Sequence, residues 1–447
     1  MLFSVSRSTR LRMILSVISF SMILLVTGCF DVRVNGKSYP KETEYFTVTD
    51  KNIEDYSIFN KFDHLKTLDL TSIDISPSEY DSISSKVNDR TVILWNVPLG
   101  NKKFSNISRT LDISPDLNIT DASVIKYFIS LNSVKISSIP SSELLLNICK
   151  SAREVNPDVV INCSTSVYGV DVGSETDFLD LNAVEIDDLT ELDCLLGAMP
   201  NIKTVEICSC KLENEVIAAL KDKYPDRKIV WAIRISKNVI RTDAQVFSIL
   251  GKMKYNDLTS EAFSPLFRYC TELRALDLGH CNVSDLSEIT NLKHLHTLIL
   301  ADNSVSDVSP LAELKELVYI EIQYNKIKDA TPFGELPNLE DLYIVHNSGL
   351  RNITALANCK KLKRAQFAAC HINMAEYSSL RKQVPEDCHL TFEDYGVMTL
   401  THWRVYHDKN RKIREAFANW KNVKEYLSWD NAVLWDRNAY DFTSKKS

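Results

Sequence analysis

Glycine is scarce in this 447-residue chain, with 11 in all, and a backbone that must pass close to a phosphate normally spends glycine there. Neither a G-x-x-x-x-G-K-[ST] loop nor a G-x-G-x-x-G turn occurs. H-E-x-x-H and G-x-S-x-G are missing too, and no Cys and His share a recognisable local frame, so no catalytic residue can be named. Positive charge is short: 52 Lys and Arg stand against 59 Asp and Glu, a formal charge of −7. Without a strongly basic patch the chain offers no footprint for nucleic acid. Neither a cofactor nor a metal is implied. Cys208-Ser209-Cys210 has no second pair or His at zinc-site spacing, and Asp187-Asp188 are neighbours that read as solvated charge.

One long apolar run is present, at the N-terminus. Arg7, Arg10 and Arg12 precede a nearly uninterrupted apolar stretch from Met13 to Val26, closed by Val26-Thr27-Gly28-Cys29. The run is too short for a comfortable membrane span and has the three-part form of an export signal. The closing tetrapeptide resembles the lipobox of bacterial lipoproteins, in which cleavage before the cysteine leaves Cys29 as the lipidated first residue. That resemblance implies a signal peptide over 1–28, a membrane partner reached through Cys29, and an extracytoplasmic, lipid-anchored place on a bacterial cell surface. An ordinary secretory signal with an incidental Cys is the plainer alternative. Removing 1–28 leaves 49 basic and 59 acidic side chains, a net charge of −10.

From Leu273 to Ile372 one short pattern recurs five times. Leu273, Leu276, Leu278, Cys281 and Val283 open it, and Leu295, Leu298, Leu300, Asn303 and Val305 repeat it. Leu317, Ile320, Ile322, Asn325 and Ile327 follow, then Leu339, Leu342, Ile344, Asn347 and Leu350, then Leu362, Ala365, Phe367, Cys370 and Ile372. The starts lie 22, 22, 22 and 23 residues apart, and the spelling is the leucine-rich repeat. In L-x-L both apolar side chains fall on one face of a strand, and one strand cannot bury that face alone. Stacked repeats close a continuous core instead. The Asn or Cys slot sits where the chain leaves the strand, so Cys210, Cys281, Asn303, Asn325, Asn347 and Cys370 are expected to form a structural ladder. The Asp after the fourth apolar slot, at Asp285, Asp307 and Asp329, resembles the short repeats of internalin-like bacterial surface proteins.

Strand alternation also assigns an outward face. Opposite the core positions lie Tyr319, Glu321, Gln323, Asp341 and Tyr343, two rings among hydrogen-bonding neighbours on strands about 4.8 Å apart. These five are the candidate ligand-binding residues on a concave sheet; a merely solvated face with Asp341 and Arg364 paired is the competing account.

Between Phe30 and about Ser260 the repeats are longer, marked by a turn inside an apolar hairpin. Val34-Asn35-Gly36-Lys37 and Leu99-Gly100-Asn101 are the clearest, with fainter copies at Tyr168-Gly169 and after Trp231. Each hairpin leads to a strand and then a helix, as in 213–223, where Val216, Ile217, Leu220 and Tyr224 are expected on one apolar face. These helices end at Asn156-Pro157, Tyr224-Pro225 and Val384-Pro385, because proline cannot continue them. Ten cysteines follow Cys29; several occupy repeat slots, where small buried thiols belong. The last stretch breaks the period and carries Trp403, Trp420, Trp429 and Trp435, either a cap for an open solenoid end or a sugar-stacking surface.

The expected organisation is therefore a signal peptide over 1–28, long irregular repeats with hairpins over 29–260, short repeats over 261–388 and an aromatic-rich cap over 389–447. The fold class is α/β, a leucine-rich repeat solenoid with a curved parallel sheet and helices and loops on its convex side. Leucine-rich repeat lipoproteins of Gram-positive bacteria look similar over most of 30–440. The resemblance implies a non-enzymatic surface protein that binds a protein or glycan. A structural envelope spacer and an enzyme with an unrecognised site are the alternatives.

Overall fold

A computed structural model describes residues 31–139, 141–235, 238–248 and 260–391. Cys29 and the four C-terminal tryptophans lie outside the described residues. The chain divides into two compact units: one runs to Leu179 and takes in Asp188–Thr204, the other comprises Asp180–Asp187 and the chain from Val205.

The first unit is built from long repeats. Asp31–Val34 pairs antiparallel with Lys37–Pro40, and Asn35 and Gly36 at the tip have φ of 45° and 75°. Two consecutive positive φ values match the twist of a two-residue hairpin, which is why Asn-Gly stands there. Tyr45–Thr47, Thr67–Asp69 and Val92–Leu94 form a parallel sheet. A second hairpin, Asn96–Leu99 with Lys102–Ser105, follows, and then the sheet of Thr110–Ile113, Ser133–Ser137 and Val160–Val167, edged by the antiparallel Val170–Gly173. The helices Pro77–Lys86 and Ser142–Val155 connect strands. Ser76 starts the first with a full capping box through Glu79, satisfying donors the first turn leaves open. A buried Asn106 ties the second hairpin to the sheet, accepting from the Trp95 N–H at 3.0 Å and donating to the Ile93 carbonyl at 2.8 Å.

In the second unit a hairpin, Ala232–Ile235 with Asn238–Arg241, precedes a seven-stranded sheet, parallel throughout. Its strands are β1 (Val246–Ser248), β2 (Ala275–Asp277), β3 (Thr297–Ile299), β4 (Tyr319–Glu321), β5 (Asp341–Tyr343), β6 (Arg364–Gln366) and β7 (His389–Thr391). Every pair is in one register, so Leu276, Leu298, Ile320, Leu342 and Ala365 stack in a row, all fully buried. Twenty-two residues leave room for three in a strand and a short 3-10 helix opposite: Ser287–Asn291, Ser309–Glu313, Thr331–Glu335 and Ile353–Asn358. Asp285, Asp307 and Asp329 start three of these, each accepting from the N–H two residues on at 2.8–2.9 Å, a local capping role that explains their recurrence. The turns stack tightly. A Cβ on Gly334 would lie 2.5 Å from the Ala355 carbonyl oxygen.

One apolar face differs from expectation. In the helix Asn214–Lys223, Ile217 and Leu220 are buried but Val216 is exposed. The stripe follows 217, 220 and 224, and Val216 lies a full 100° around the helix from Ile217.

Candidate binding surface

The five candidate residues lie together on β4, β5 and the residue pair that follows β4. Tyr319 is beside Asp341 and Glu321 beside Tyr343. The Tyr319 hydroxyl donates to Glu321 Oε1, and Asp341 Oδ1 accepts from Arg364 Nε at 2.5 Å. All five are buried, Glu321 completely and Asp341 at 7%. This corrects the expectation of an open face: alternation fixes which way a side chain points, while exposure depends on what it meets. Here hydroxyl, carboxylate and guanidinium meet one another, and Tyr343, Val345 and Ala368 join in a buried apolar cluster. Both outward rows continue buried: Thr297 lies beside Tyr319 in one, and Asp277, two strands from Glu321, and Gln366, beside Tyr343, lie in the other.

Behind the sheet the turn residues bridge repeats. Asn303 accepts from the N–H groups of Cys281 (3.1 Å) and Val283 (2.8 Å) and donates to Leu278 O at 2.9 Å. Asn325 accepts from Val305 N–H at 2.9 Å and donates to Leu300 O (2.8 Å), Ile322 O (3.2 Å) and Gln323 O (3.1 Å). Asn347 accepts from Ile327 N–H at 3.0 Å and donates to Ile322 O at 3.0 Å. Cys370 puts a thiol in the same place, donating to Ile344 O at 3.2 Å, while the thiol of Cys281 donates to Gly279 O at 3.3 Å. Burial pushes Cys281 up to about 12 and Cys370 up to about 11, so both stay protonated and unreactive near neutrality. Cys210 is half-buried, its N–H donating to Ile207 O at 3.4 Å. No disulfide joins any two of the ten described cysteines.

The open chemistry of these repeats lies one residue before the ladder. His280, Asp302, Tyr324, His346 and Ala369 hold φ of 61°, 51°, 55°, 56° and 57°. Four of them donate a backbone N–H to the next repeat: His280 to Ala301 O at 2.8 Å, Asp302 to Gln323 O at 2.8 Å, Tyr324 to Val345 O at 3.1 Å and His346 to Ala368 O at 2.9 Å. The left-handed backbone turns their side chains out along a ledge. His280 Nδ1 meets Asp302 Oδ2 at 2.8 Å, and the rings of Tyr324 and His346 stack with centroids 4.2 Å apart and 10° between planes. Tyr324 is 53% exposed. The ledge was readable in principle, since its members precede the Asn/Cys slot, but only a left-handed backbone at that slot reveals the direction. No cluster of His, Cys, Asp and Glu able to hold a metal occurs among the described residues, and none of their helices is long and apolar enough to cross a membrane.

The family model described as Leucine Rich repeats (2 copies) matches 271–313. These residues are leucine-rich repeats. The in-register parallel sheet and the Asn ladder extend the same architecture to β7, and the fold is an α/β leucine-rich repeat solenoid. Three solved structures are similar to this chain. Internalin C2 of Listeria monocytogenes is 17% identical over 62% of this chain and 81% of its own, with a TM-score of 0.25. A second Listeria internalin is 16% identical over 80% and 91%, also at 0.25. A leucine-rich repeat protein of Leptospira interrogans is 14% identical over 75% and 92%, at 0.26. The fold rests on the register and ladder of the repeats themselves. No curated protein matches the chain.

Proposed function

We propose that this chain is a lipid-anchored, extracytoplasmic leucine-rich repeat protein that binds a protein or glycan partner without catalysing a reaction, and that the partner docks on the ledge. The observation that carries this reading is the Tyr324–His346 stack, exposed on a backbone already fixed by inter-repeat hydrogen bonds. An aromatic platform held in advance loses little conformational entropy when it is covered. Beside it, the His280–Asp302 pair offers donors and acceptors. The concave residues Tyr319, Glu321, Gln323, Asp341 and Tyr343 are less suited, because a partner would first have to displace the contacts that bury them.

The test is a glycan and protein binding screen followed by substitution. Tyr324→Ala is expected to weaken the partner found by roughly tenfold or more, as removal of an aromatic hot spot does, with a melting temperature near wild type because the ring is exposed. Unchanged binding in Tyr324→Ala, with loss in Tyr343→Ala, would move the site back to the concave sheet. A screen without any partner favours the spacer alternative.

The anchor rests on Val26-Thr27-Gly28-Cys29. Cys29→Ala is expected to leave an unprocessed, unlipidated precursor, read by mass spectrometry of the intact protein. Cleavage elsewhere with no lipid on the wild-type chain sinks the proposal of an anchor while leaving the ledge untouched.

A further inference from the structure

Near the start of the second unit lies a cavity of about 330 Å³ that the ledge does not involve, lined among others by Lys221, Arg227, Lys228, Thr242, Thr271 and Glu272. Arg227 is its unusual member. The residue is only 9% exposed, and its Nε and Nη1 are buried without a hydrogen-bond partner. A guanidinium stays charged in a protein and carries five N–H donors. Leaving donors of a charged group unmet is costly, and native proteins rarely do it without an ion, a water or a functional reason. The Tyr224 ring covers the guanidinium at 4.8 Å, but a ring face cannot satisfy donors lying in the guanidinium plane. Asp226 comes only to 3.9 Å of Nε, too far for a hydrogen bond, and its side chain is mostly in solvent.

Lys228, Asp243 and Glu272 on the cavity wall already engage one another or Arg241. Lys228 Nζ lies 3.3 Å from Asp243 and 3.6 Å from Glu272, and Asp243 also accepts from Arg241 at 2.9 and 3.0 Å. Lys221 lies over the Trp231 ring at 5.9 Å. Arg227 is thus the cation whose buried N–H groups find no acceptor on the cavity wall, its nearest carboxylate, Asp226, standing 3.9 Å off and largely in solvent. We propose that the cavity is a binding site for a small carboxylate, seated against Arg227 with Lys221 at its side. A carboxylate matches the planar guanidinium, whereas the acids Asp226 and Glu272 on the same walls disfavour a polyanion. The carboxylate can belong to a free small acid or to a peptide C-terminus.

The test uses the purified full chain and two probes, acetate and N-acetylglycine, each added at constant ionic strength against chloride. Both are expected to raise the melting temperature of wild type, and N-acetylglycine acting at lower concentration than acetate assigns the peptide terminus. Arg227→Met is expected to abolish that rise while melting no lower than wild type in chloride, because a site kept for a ligand is strained when empty. If Arg227→Met does not fold, Lys221→Met, which touches no ladder residue, is expected to weaken the carboxylate effect about threefold, the size of a partly exposed charge pair. No rise in wild type with either probe, or a rise that survives Arg227→Met or Lys221→Met at full size, overturns the site.

Discussion

Arg241→Ala is expected to destabilise the second unit by about 3–5 kcal/mol, the range found when one partner of a buried ion pair is removed and the other is left charged. Arg241 is buried and holds Glu206 bidentately, Nη1 to Oε2 at 2.8 Å and Nη2 to Oε1 at 2.5 Å. It also donates from Nε to Asp243 Oδ1 at 2.9 Å and from Nη2 to Asp243 Oδ2 at 3.0 Å. Glu206 accepts in addition from Asn182 Nδ2 at 2.8 Å. Hydrogen bonds from Arg241 hold the Glu206 carboxyl below its usual range, against the opposing pull of burial. For Asp243, burial pushes the carboxyl up, but the hydrogen bonds and charge of Arg241 outweigh it and the net direction is down.

The pH dependence follows in sign. Carboxyls whose folded pKa lies below the unfolded value add stability that is fully present above the unfolded value, near pH 4, and is lost as pH falls through the folded one. Wild type therefore loses this contribution on acidification, whereas Arg241→Ala has little of it to lose. Denaturant unfolding at neutral pH and again below pH 4 should show the gap between the two proteins narrowing in acid. A gap of constant size would mean that Arg241 acts through packing alone.

The second large effect belongs to the ladder. Asn325→Ala removes the acceptor for Val305 N–H and the donors to Leu300, Ile322 and Gln323 carbonyls at a position that is 8% exposed. The expected loss is about 1–3 kcal/mol, the cost of orphaned buried partners, with the fold still assembled. Asn325→Asp keeps the acceptor and removes the two N–H donors, so it is expected to fall on the same side of wild type. A denaturation midpoint unmoved in both variants would remove Asn325 from the structural ladder.

Periodicity carried the repeat register a long way. The five L-x-L segments stand in β2 to β6 with Leu276, Leu298, Ile320, Leu342 and Ala365 in one row, since a period of two along the strand and 22 along the chain leaves no other alignment that buries them. The hairpin at Asn35-Gly36 was legible for the same kind of reason, a backbone demand few residues meet. What a pattern cannot report is how much of a face is covered: Glu321 points away from the core row and is nonetheless buried. Pairing at long range escapes it too. Glu206 and Arg241 are 35 residues apart and carry no shared motif. Arg227 is harder still, because its feature is a partner that the surrounding residues do not supply.

The ledge separates aim from identity. Four of its five members take their direction from a left-handed backbone that the neighbouring repeat holds by main-chain hydrogen bonds, in which the side chain plays no part. Ala369 keeps a φ of 57° with a methyl group where its counterparts carry rings and charges. A left-handed residue costs roughly 1–2 kcal/mol, less for Asn or Asp and more for a β-branched side chain, so exchange among residues without β-branching changes that cost little. A repeat array of this kind can acquire a new preference by point substitution at a 22-residue interval, without retuning its core, and each added repeat brings another socket already aimed.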